Sequence, residues 1–371
     1  MSGIYEGRMG QAPESASWPD ARIPDLLGIE LPILLAPMAG VVGAPMAAAV
    51  AAAGGLGALP CALLSEEQMR QELAAVRRST SRPINMNFFC HRPASFDSGR
   101  ESAWRRQLMP YYTELGLDPG MAIPASNIAP FDGAACDLLA ELKPGVVSFH
   151  FGLPTRDLLD RVKASGAKIL SSATTVDEAR WLEDNGCDAI IAQGLEAGGH
   201  RGMFLSRDVA TQAGTMALVP QMVDAVKLPV IAAGGIADSR GIAASFALGA
   251  SAVQIGTAFL LCPEARTASL HRRAIKTVRD NQTVVTTVFS GRPARAIVNR
   301  ATRELRPLPD EAPAFPLAGN ALAPLRAKME SLQSDDFTPL WAGQGAPLAR
   351  ELPAGELIRL LATETLARIG R

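Results

Sequence analysis

Residues 188–202 read Asp188-Ala189-Ile190-Ile191-Ala192-Gln193-Gly194-Leu195-Glu196-Ala197-Gly198-Gly199-His200-Arg201-Gly202. An apolar run opens the segment, and glycines carrying one histidine close it. Such a run reads as a strand buried on both faces, the kind a parallel sheet requires. Glycines lack a Cβ, so their backbone N–H groups can approach a flat or anionic ligand closely. His200 adds a group that ordinarily titrates near neutral pH. A lone Gly-Gly-His would suit a plain turn with an incidental surface histidine equally well. Repetition decides the matter.

Two further units follow, Val230-Ile231-Ala232-Ala233-Gly234-Gly235-Ile236-Ala237-Asp238 and Ala252-Val253-Gln254-Ile255-Gly256-Thr257. Each is a short apolar run that ends in glycine and leads into a helical pattern. The loops after the last two strands of a (β/α)8 barrel commonly hold a phosphate at the C-terminal face, where helix N-termini supply the positive end. Counting back gives eight strands: 33–38, 55–59, 83–89, 145–151, 168–173, 189–193, 229–234 and 252–257. Capping boxes at Ser65/Gln68 and Thr175/Glu178 open intervening helices, while Pro45 fits a first helical turn. The fold class is therefore α/β, a TIM (β/α)8 barrel with a smaller cap or substrate domain.

The expected organisation is an arm over residues 1–30, irregular as far as residue 25, a barrel over 31–263, a cap over 264–339 and a closing segment over 340–371. An insertion from Arg92 to Lys143 carries Trp104, Tyr111 and Tyr112 and is placed to cover the barrel mouth. The last helix, from Gly355 to Ile369, is expected to complete the outer ring.

Composition sets limits. The chain has 371 residues, 48% of them hydrophobic, and a net charge of −1. That suits one large core and gives no basic face for nucleic acid or a membrane surface. Residues 31–64 lack any charge, yet Pro37, Pro45 and Pro60 argue for strand, helix and strand rather than a membrane span. Met1 to Gly10 has no apolar run of the secretory type. Five cysteines without C-x-x-C spacing suggest free thiols, no metal site and a cytoplasmic setting. A monomer or homodimer is expected.

Chemistry-bearing residues fall at strand ends. Ala36-Pro37-Met38 could support a ring system, although a core methionine would read the same way. Asn85 and Asn87 offer amides to a heterocycle edge, or simply form a turn. His150 ends the fourth strand and joins His200 at the same barrel face, which favours a site over an isolated satisfied histidine. His91 and His271 have no such placement and receive no role.

The runs Ala36-Pro37-Met38, Asn85-Met86-Asn87-Phe88-Phe89, Ser148-Phe149-His150-Phe151-Gly152, Gln193 through Gly202, Gly234-Gly235-Ile236-Ala237-Asp238 and Gln254-Ile255-Gly256-Thr257 together resemble the nitronate monooxygenase family. These are FMN-dependent barrels formerly called 2-nitropropane dioxygenases. The likeness extends from Leu31 to the Leu340-Trp341-Ala342-Gly343-Gln344-Gly345 run, and Glu196 to Gly202 matches the class I branch best.

The resemblance implies an oxidoreductase that uses FMN and O2 to convert alkyl nitronates, and nitroalkanes after proton loss, into a carbonyl compound and nitrite. It implies His200 as the catalytic histidine, with an ordinary imidazole pKa suited to a base, and His150 on the substrate side. Ala36, Pro37, Met38, Asn87, Gln193, Gly198, Gly199, Gly234, Gly235, Gln254, Ile255, Gly256 and Thr257 would bind the cofactor, with the phosphate on Gly235, Gly256 and Thr257. An NAD(P)H:quinone or enoyl reductase on the same barrel is the alternative, and a flavin-binding protein without turnover a third reading. No G-x-G-x-x-G fingerprint follows a strand. Relatives that use propionate 3-nitronate surround its carboxylate with tyrosines and a lysine. This chain has three tyrosines, and the segment from Ala314 to Asn320 offers phenylalanine and small residues instead. Arg292 and Arg295 are the cap cations available to replace them.

Overall fold

The computed structural model describes residues 17–124 and 128–370. Most of the proposed arm therefore lies outside the described residues. The strands are β1 (Ile33–Leu35), β2 (Gly57–Pro60), β3 (Ile84–Phe89), β4 (Val146–His150), β5 (Lys168–Ala173), β6 (Ala189–Gln193), β7 (Gly199–His200), β8 (Val230–Ala233), β9 (Ala252–Ile255), β10 (Thr283–Thr286) and β11 (Ala294–Ile297). Eight of them form one parallel sheet in the order β1-β9-β8-β6-β5-β4-β3-β2. A parallel bridge between Leu34 and Leu56 joins its two ends, with Leu35 N donating to Leu56 O at 3.0 Å. The sheet is closed, and the barrel follows from the eight apolar runs of the sequence.

Strand alternation divides the apolar residues into two layers. Leu34, Val146, Leu170, Ile191, Ile231 and Ala252 share an inner cluster with Ile23 and Leu27. Those last two belong to a helix, Arg22–Leu27, that ends at Gly28 in the left-handed region. The end of the arm is thus ordered rather than irregular through residue 25, because Ile23 and Leu27 fall four apart and bury one face. The outer cluster packs the strands against surrounding helices. The final helix, Ala354–Ile369, rests on helices Ala44–Ala52 and Ser239–Ala247 and takes the eighth place in the ring.

The capping box at Ser65 forms in full, whereas that at Thr175 forms by half. Thr175 accepts the Glu178 N–H, but the Glu178 carboxylate does not reach back. It is wholly buried and accepts from Thr174 N, Thr174 Oγ1, Phe204 N and Leu205 N at 2.5–3.1 Å. Four charge-assisted hydrogen bonds outcompete one cap bond. They also fix the chain just beyond His200.

Between β9 and the last helix the chain builds the cap, with β10, β11 and helices Ser269–Thr277, Arg300–Glu304 and Ala318–Ser331. Helix Ser98–Glu114 of the insertion joins it. Trp104 Nε1 donates to Ala318 O at 3.0 Å and the Tyr112 hydroxyl donates to Ala321 O at 2.6 Å. Trp104 and Tyr112 therefore serve the second apolar core, where each fully buried large side chain contributes about 1.5–3 kcal/mol. Among the described residues no helix is long and apolar enough to cross a membrane. The five cysteines are free thiols.

Candidate functional site

A cavity of about 660 Å³ opens at the C-terminal face of the barrel, beneath the cap. Its floor comes from the strand ends and its roof from Phe289, Ser290, Phe315, Pro316 and Trp341. Of the residues singled out in the sequence, Ala36, Pro37, Met38, Asn87, His150, Gln193, Gly198, Gly199, His200, Gly234, Gly235, Gln254, Gly256 and Thr257 all line it. Ile255 does not. It follows Gln254 on a strand, so its side chain points the other way, into the outer core, at 1% exposure.

One end of the cavity is glycine-built. Gly234 and Gly235 adopt φ of 113° and 71°, a region open to glycine at little cost. Residues 342–345 close over them. At Gly198 a Cβ would lie 2.4 Å from Gly343 N, so this approach excludes any side chain. Thr257 Oγ1 accepts the Gly343 N–H at 2.9 Å, and Glu196 O accepts the Gln344 N–H at 2.9 Å. These bonds fix the loops around Gly234 and Gly235, whose bare backbone is a surface that a bound anion can approach closely.

The middle of the cavity holds amides in different states of engagement. Asn87 Nδ2 donates to Ser148 Oγ at 2.8 Å, leaving its oxygen for another partner. Gln193 is engaged by the protein: Nε2 donates to His200 O at 3.0 Å and Oε1 accepts Gly202 N–H at 2.7 Å. It positions the histidine loop and still has a second amide hydrogen at the cavity it lines. Among the described residues Gln254 Oε1 is buried without a partner, a state that normally costs about 1–3 kcal/mol and is relieved by a bound donor.

The Gly199–His200 loop proves to be strand β7, paired antiparallel with β11 of the cap through Ala294 and His200. Sequence periodicity could not show a two-residue strand whose partner lies 94 positions away by this register. Arg201, fully buried, ties the same loop to Gly194 O, Gln193 O and Gln212 Oε1 at 2.7, 2.6 and 3.1 Å. His150 supports it from below. Its Nε2 lies 3.1 Å from His200 O and its Nδ1 lies 3.1 Å from Ser172 Oγ. A carbonyl only accepts, so His150 carries its proton on Nε2 and both ring nitrogens are occupied. His150 lines the cavity but acts as a brace.

His200 Nε2 meets Ser290 Oγ at 3.0 Å, and its ring lies 5.2 Å from Phe315 and 5.4 Å from Trp341. Burial drives its pKa down to about 3, with the nearby His150 and Arg292 acting in the same direction. The ordinary imidazole value expected from the sequence does not hold, and His200 is neutral at working pH. Burial likewise takes His150 to about 3.

Two histidines given no role in the sequence do sit here. His271 lines the cavity wall, and His91 packs edge-on against Phe315 at 4.9 Å. Neither signals itself, since only the tertiary fold brings them near. The cap arginines fare differently from expectation. Arg292 stacks on Phe151 at 3.8 Å and donates to Met203 O, while Arg295 donates to Leu195 O and Thr283 Oγ1. Arg295 is spent on protein acceptors, whereas among the described residues the buried Arg292 Nε has no partner, although Arg292 does not line the cavity. The cations that do line it are Arg266 and Arg326, each paired with a glutamate, Glu72 and Glu330.

Comparison with known proteins agrees with this geometry. The family model described as nitronate monooxygenase matches residues 21–364. A nitronate monooxygenase of Pseudomonas aeruginosa is 44% identical over 349 residues, covering 92% of this chain and 98% of that one. A solved structure of nitroalkane oxidase from Streptomyces ansochromogenes superposes with a TM-score of 0.84 at 40% identity, covering 94% of this chain and 98% of that one. The structure of FabK from Thermotoga maritima gives 0.71 at 29% identity, with 94% and 96% covered. With the model spanning almost the whole chain, this protein belongs to the nitronate monooxygenase family.

Proposed function

We propose that the protein oxidises alkyl nitronates with FMN and O2, yielding a carbonyl compound and nitrite. The observation that carries this reading is the joining, in one cavity, of a glycine-built surface open to an anion, the unpartnered Gln254 amide and the neutral His200 beneath an apolar roof. Gly235, Gly256 and Thr257 would hold a single phosphate, which favours FMN over a dinucleotide. Met38, Asn87 and Gln254 would border the flat ring. When bound, FMN would supply the redox chemistry between the nitronate and O2. The protein's own contribution is to bind the anion, exclude water and place His200 beside the substrate carbon.

The depressed His200 pKa bears on which substrate is used. A general base works best when its pKa lies near the operating pH. A nitronate has already lost its α-proton, so His200 then orients the anion and no strong base is required. Nitronates are therefore the primary substrates and neutral nitroalkanes the poorer ones.

The test is direct. Purified protein is expected to be yellow, to release FMN on heating and to form nitrite from a preformed nitronate in air. Gly256→Val is expected to weaken flavin binding, because a Cβ there already meets Ala36 Cβ at 3.2 Å and Met38 Sδ at 3.5 Å. A colourless protein that cannot be reconstituted with FMN overturns the reading. Anaerobic bleaching by NAD(P)H but not by a nitronate would assign the reductase reaction instead.

Substrate choice follows from the roof. A carboxylate placed under Phe315 and Phe289 needs a cation or several donors, since an uncompensated buried charge costs several kcal/mol. Arg295 is engaged elsewhere, Arg266 and Arg326 are already balanced by glutamates, and the one free donor of Arg292, its buried Nε, lies outside the cavity lining. Alkyl nitronates of two to four carbons are expected to show higher kcat/KM than propionate 3-nitronate. Steady-state comparison at equal oxygen decides it, and a preference for the carboxylated substrate refutes the argument.

A further inference from the structure

His200 offers two ring nitrogens to the site, and the reaction can use only the one that carries a lone pair. Burial keeps the ring neutral, so one nitrogen bears hydrogen and the other does not. We propose that Ser290 is a positioning residue that holds His200 as the Nε2–H tautomer and thereby makes Nδ1 the nitrogen presented to substrate. This inference rests on the nitronate reading above and assigns the proton at the centre of that site.

The hydrogen-bond chain carries the argument. Ser290 Oγ lies 3.0 Å from His200 Nε2, and the Ser290 hydroxyl donates to Arg292 O at 3.2 Å. A hydroxyl has one hydrogen. Once it is given to the Arg292 carbonyl, only the Ser290 lone pairs face the imidazole, and Nε2 must donate. The Arg292 N–H also points to Ser290 Oγ, at 3.4 Å, and adds a weaker donor to the same oxygen. Among the described residues no hydrogen bond is made by His200 Nδ1, which is left for a ligand in the cavity that His200 lines.

The turn that carries Ser290 has little freedom to arrange otherwise. Gly291 N donates to Thr287 O at 2.7 Å, and Gly291 sits at φ 82°. A Cβ on Gly291 would lie 2.0 Å from Pro313 O, so no other residue fits this approach of the two cap segments. Ser290 itself is 7% exposed. On the other side the His200 backbone is paired with Ala294, and its carbonyl is gripped by His150 and Gln193. Phe315 and Trp341 flank the ring. With both backbones fixed, the Ser290–His200 bond sets ring orientation and tautomer together.

The same reasoning fixes His150 as Nε2–H, as described above, so the two histidines of the site are held in one tautomeric form by different acceptors, a carbonyl and a hydroxyl. That gives an internal control. Side-chain ¹⁵N–¹H correlation spectra of histidine-labelled protein, loaded with FMN, report the tautomer of each ring directly. Only four histidines are present, and His200→Asn and His150→Asn assign two of them. The expected result is Nε2–H for both His200 and His150 in the native chain. In Ser290→Ala the His200 pattern is expected to become a mixture of tautomers while that of His150 is retained.

Kinetics gives a second readout. A positioned base typically contributes roughly 10²–10⁴-fold. Ser290→Ala is expected to lose about tenfold to a hundredfold in kcat/KM on neutral nitroalkanes, and markedly less on preformed nitronates. Ser290→Thr, which keeps the hydroxyl, is expected to recover most of that loss. A general packing defect would lower both substrates alike and would not be repaired by threonine. An Nδ1–H tautomer of His200 in the native chain overturns the proposal, and so does a Ser290→Ala spectrum unchanged at His200. If Ser290→Ala fails to fold, the native spectrum alone decides. Failure of the native enzyme to form nitrite from a nitronate would instead sink the underlying functional reading, and the two failures are thus separable.

Discussion

Replacing His200 with asparagine is expected to lower kcat/KM on neutral nitroalkanes by about 10²-fold, the lower end of a positioned base's worth because its depressed pKa makes it a weak base, and to lower it far less on preformed nitronates. Asparagine is polar but smaller, and its amide matches the place of Nδ1 rather than of the Nε2 that meets Ser290, so it keeps a polar group beside Phe315 and Trp341 without the Ser290 bond. What it cannot do is take a proton from carbon. FMN is expected to remain bound, because the surface proposed for its phosphate is built from backbone groups of Gly234, Gly235 and Gly256 at the other end of the cavity. The pH profile sharpens the result. With the free-enzyme pKa near 3, the native kcat/KM for nitroalkanes is expected to show no acid limb at the usual imidazole value. Equal losses on both substrates would reassign His200 to anion binding or to architecture. A limb at pH 6.5 that vanishes in the variant would show that substrate-free His200 is better solvated than its burial implies.

The parts of the fold that depend on local pattern were readable from the chain. Short apolar runs, three of them leading into the glycines at 194, 234 and 256, located the eight barrel strands, and the Ser65/Gln68 pair located a helix start to the residue. What escaped was set by partners distant in sequence. Strand β7 exists because β11 lies beside it, and nothing within Gly199–His200 announces an extended pair. The Glu178 carboxylate looked like a capping partner and serves instead as the acceptor for residues 204 and 205. Residues 33–38 read as one strand, yet the sheet ends at Leu35 and Ala36 to Met38 turn away to line the cavity.

The site divides in the same manner. Residues whose role follows from backbone shape, the glycines and the strand-end amides, could be placed on the cavity wall from sequence alone. Ile255 could not be separated from Gln254 without knowing which way the strand faces. Ser290, Trp341 and His271 carry no local signal, because the chain brings them to the barrel mouth from 16 to 86 positions beyond the end of strand β9 by the residue numbering. The charge state of His200 was equally hidden. A reference pKa applies to a solvated ring, and only the packed cap reveals how far the ring is desolvated.

The same burial predicts how the protein responds to acid. His91 and His271 are pushed down to about 4, and His150 and His200 to about 3, with desolvation the largest cause for all of them. In the unfolded chain each returns to about 6.5. Between those limits the unfolded state binds more protons than the folded one, so stability rises with pH across that window. The contribution is complete above about pH 6.5 and is lost progressively as pH falls towards the folded values. Each histidine adds a slope of up to about 1.4 kcal/mol per pH unit, and near pH 5 the four act together. Urea unfolding midpoints at pH 8, 7, 6 and 5 are expected to be level at first and then to fall steeply below 6.5. His271→Gln removes one titrating ring from the wall of the cavity and is expected to shallow that slope by about one proton's worth. Level stability from pH 7 to pH 5, or a variant slope identical to the native one, would show that these rings titrate in the folded protein. In that case the picture of a desolvated, neutral His200 would fall with it.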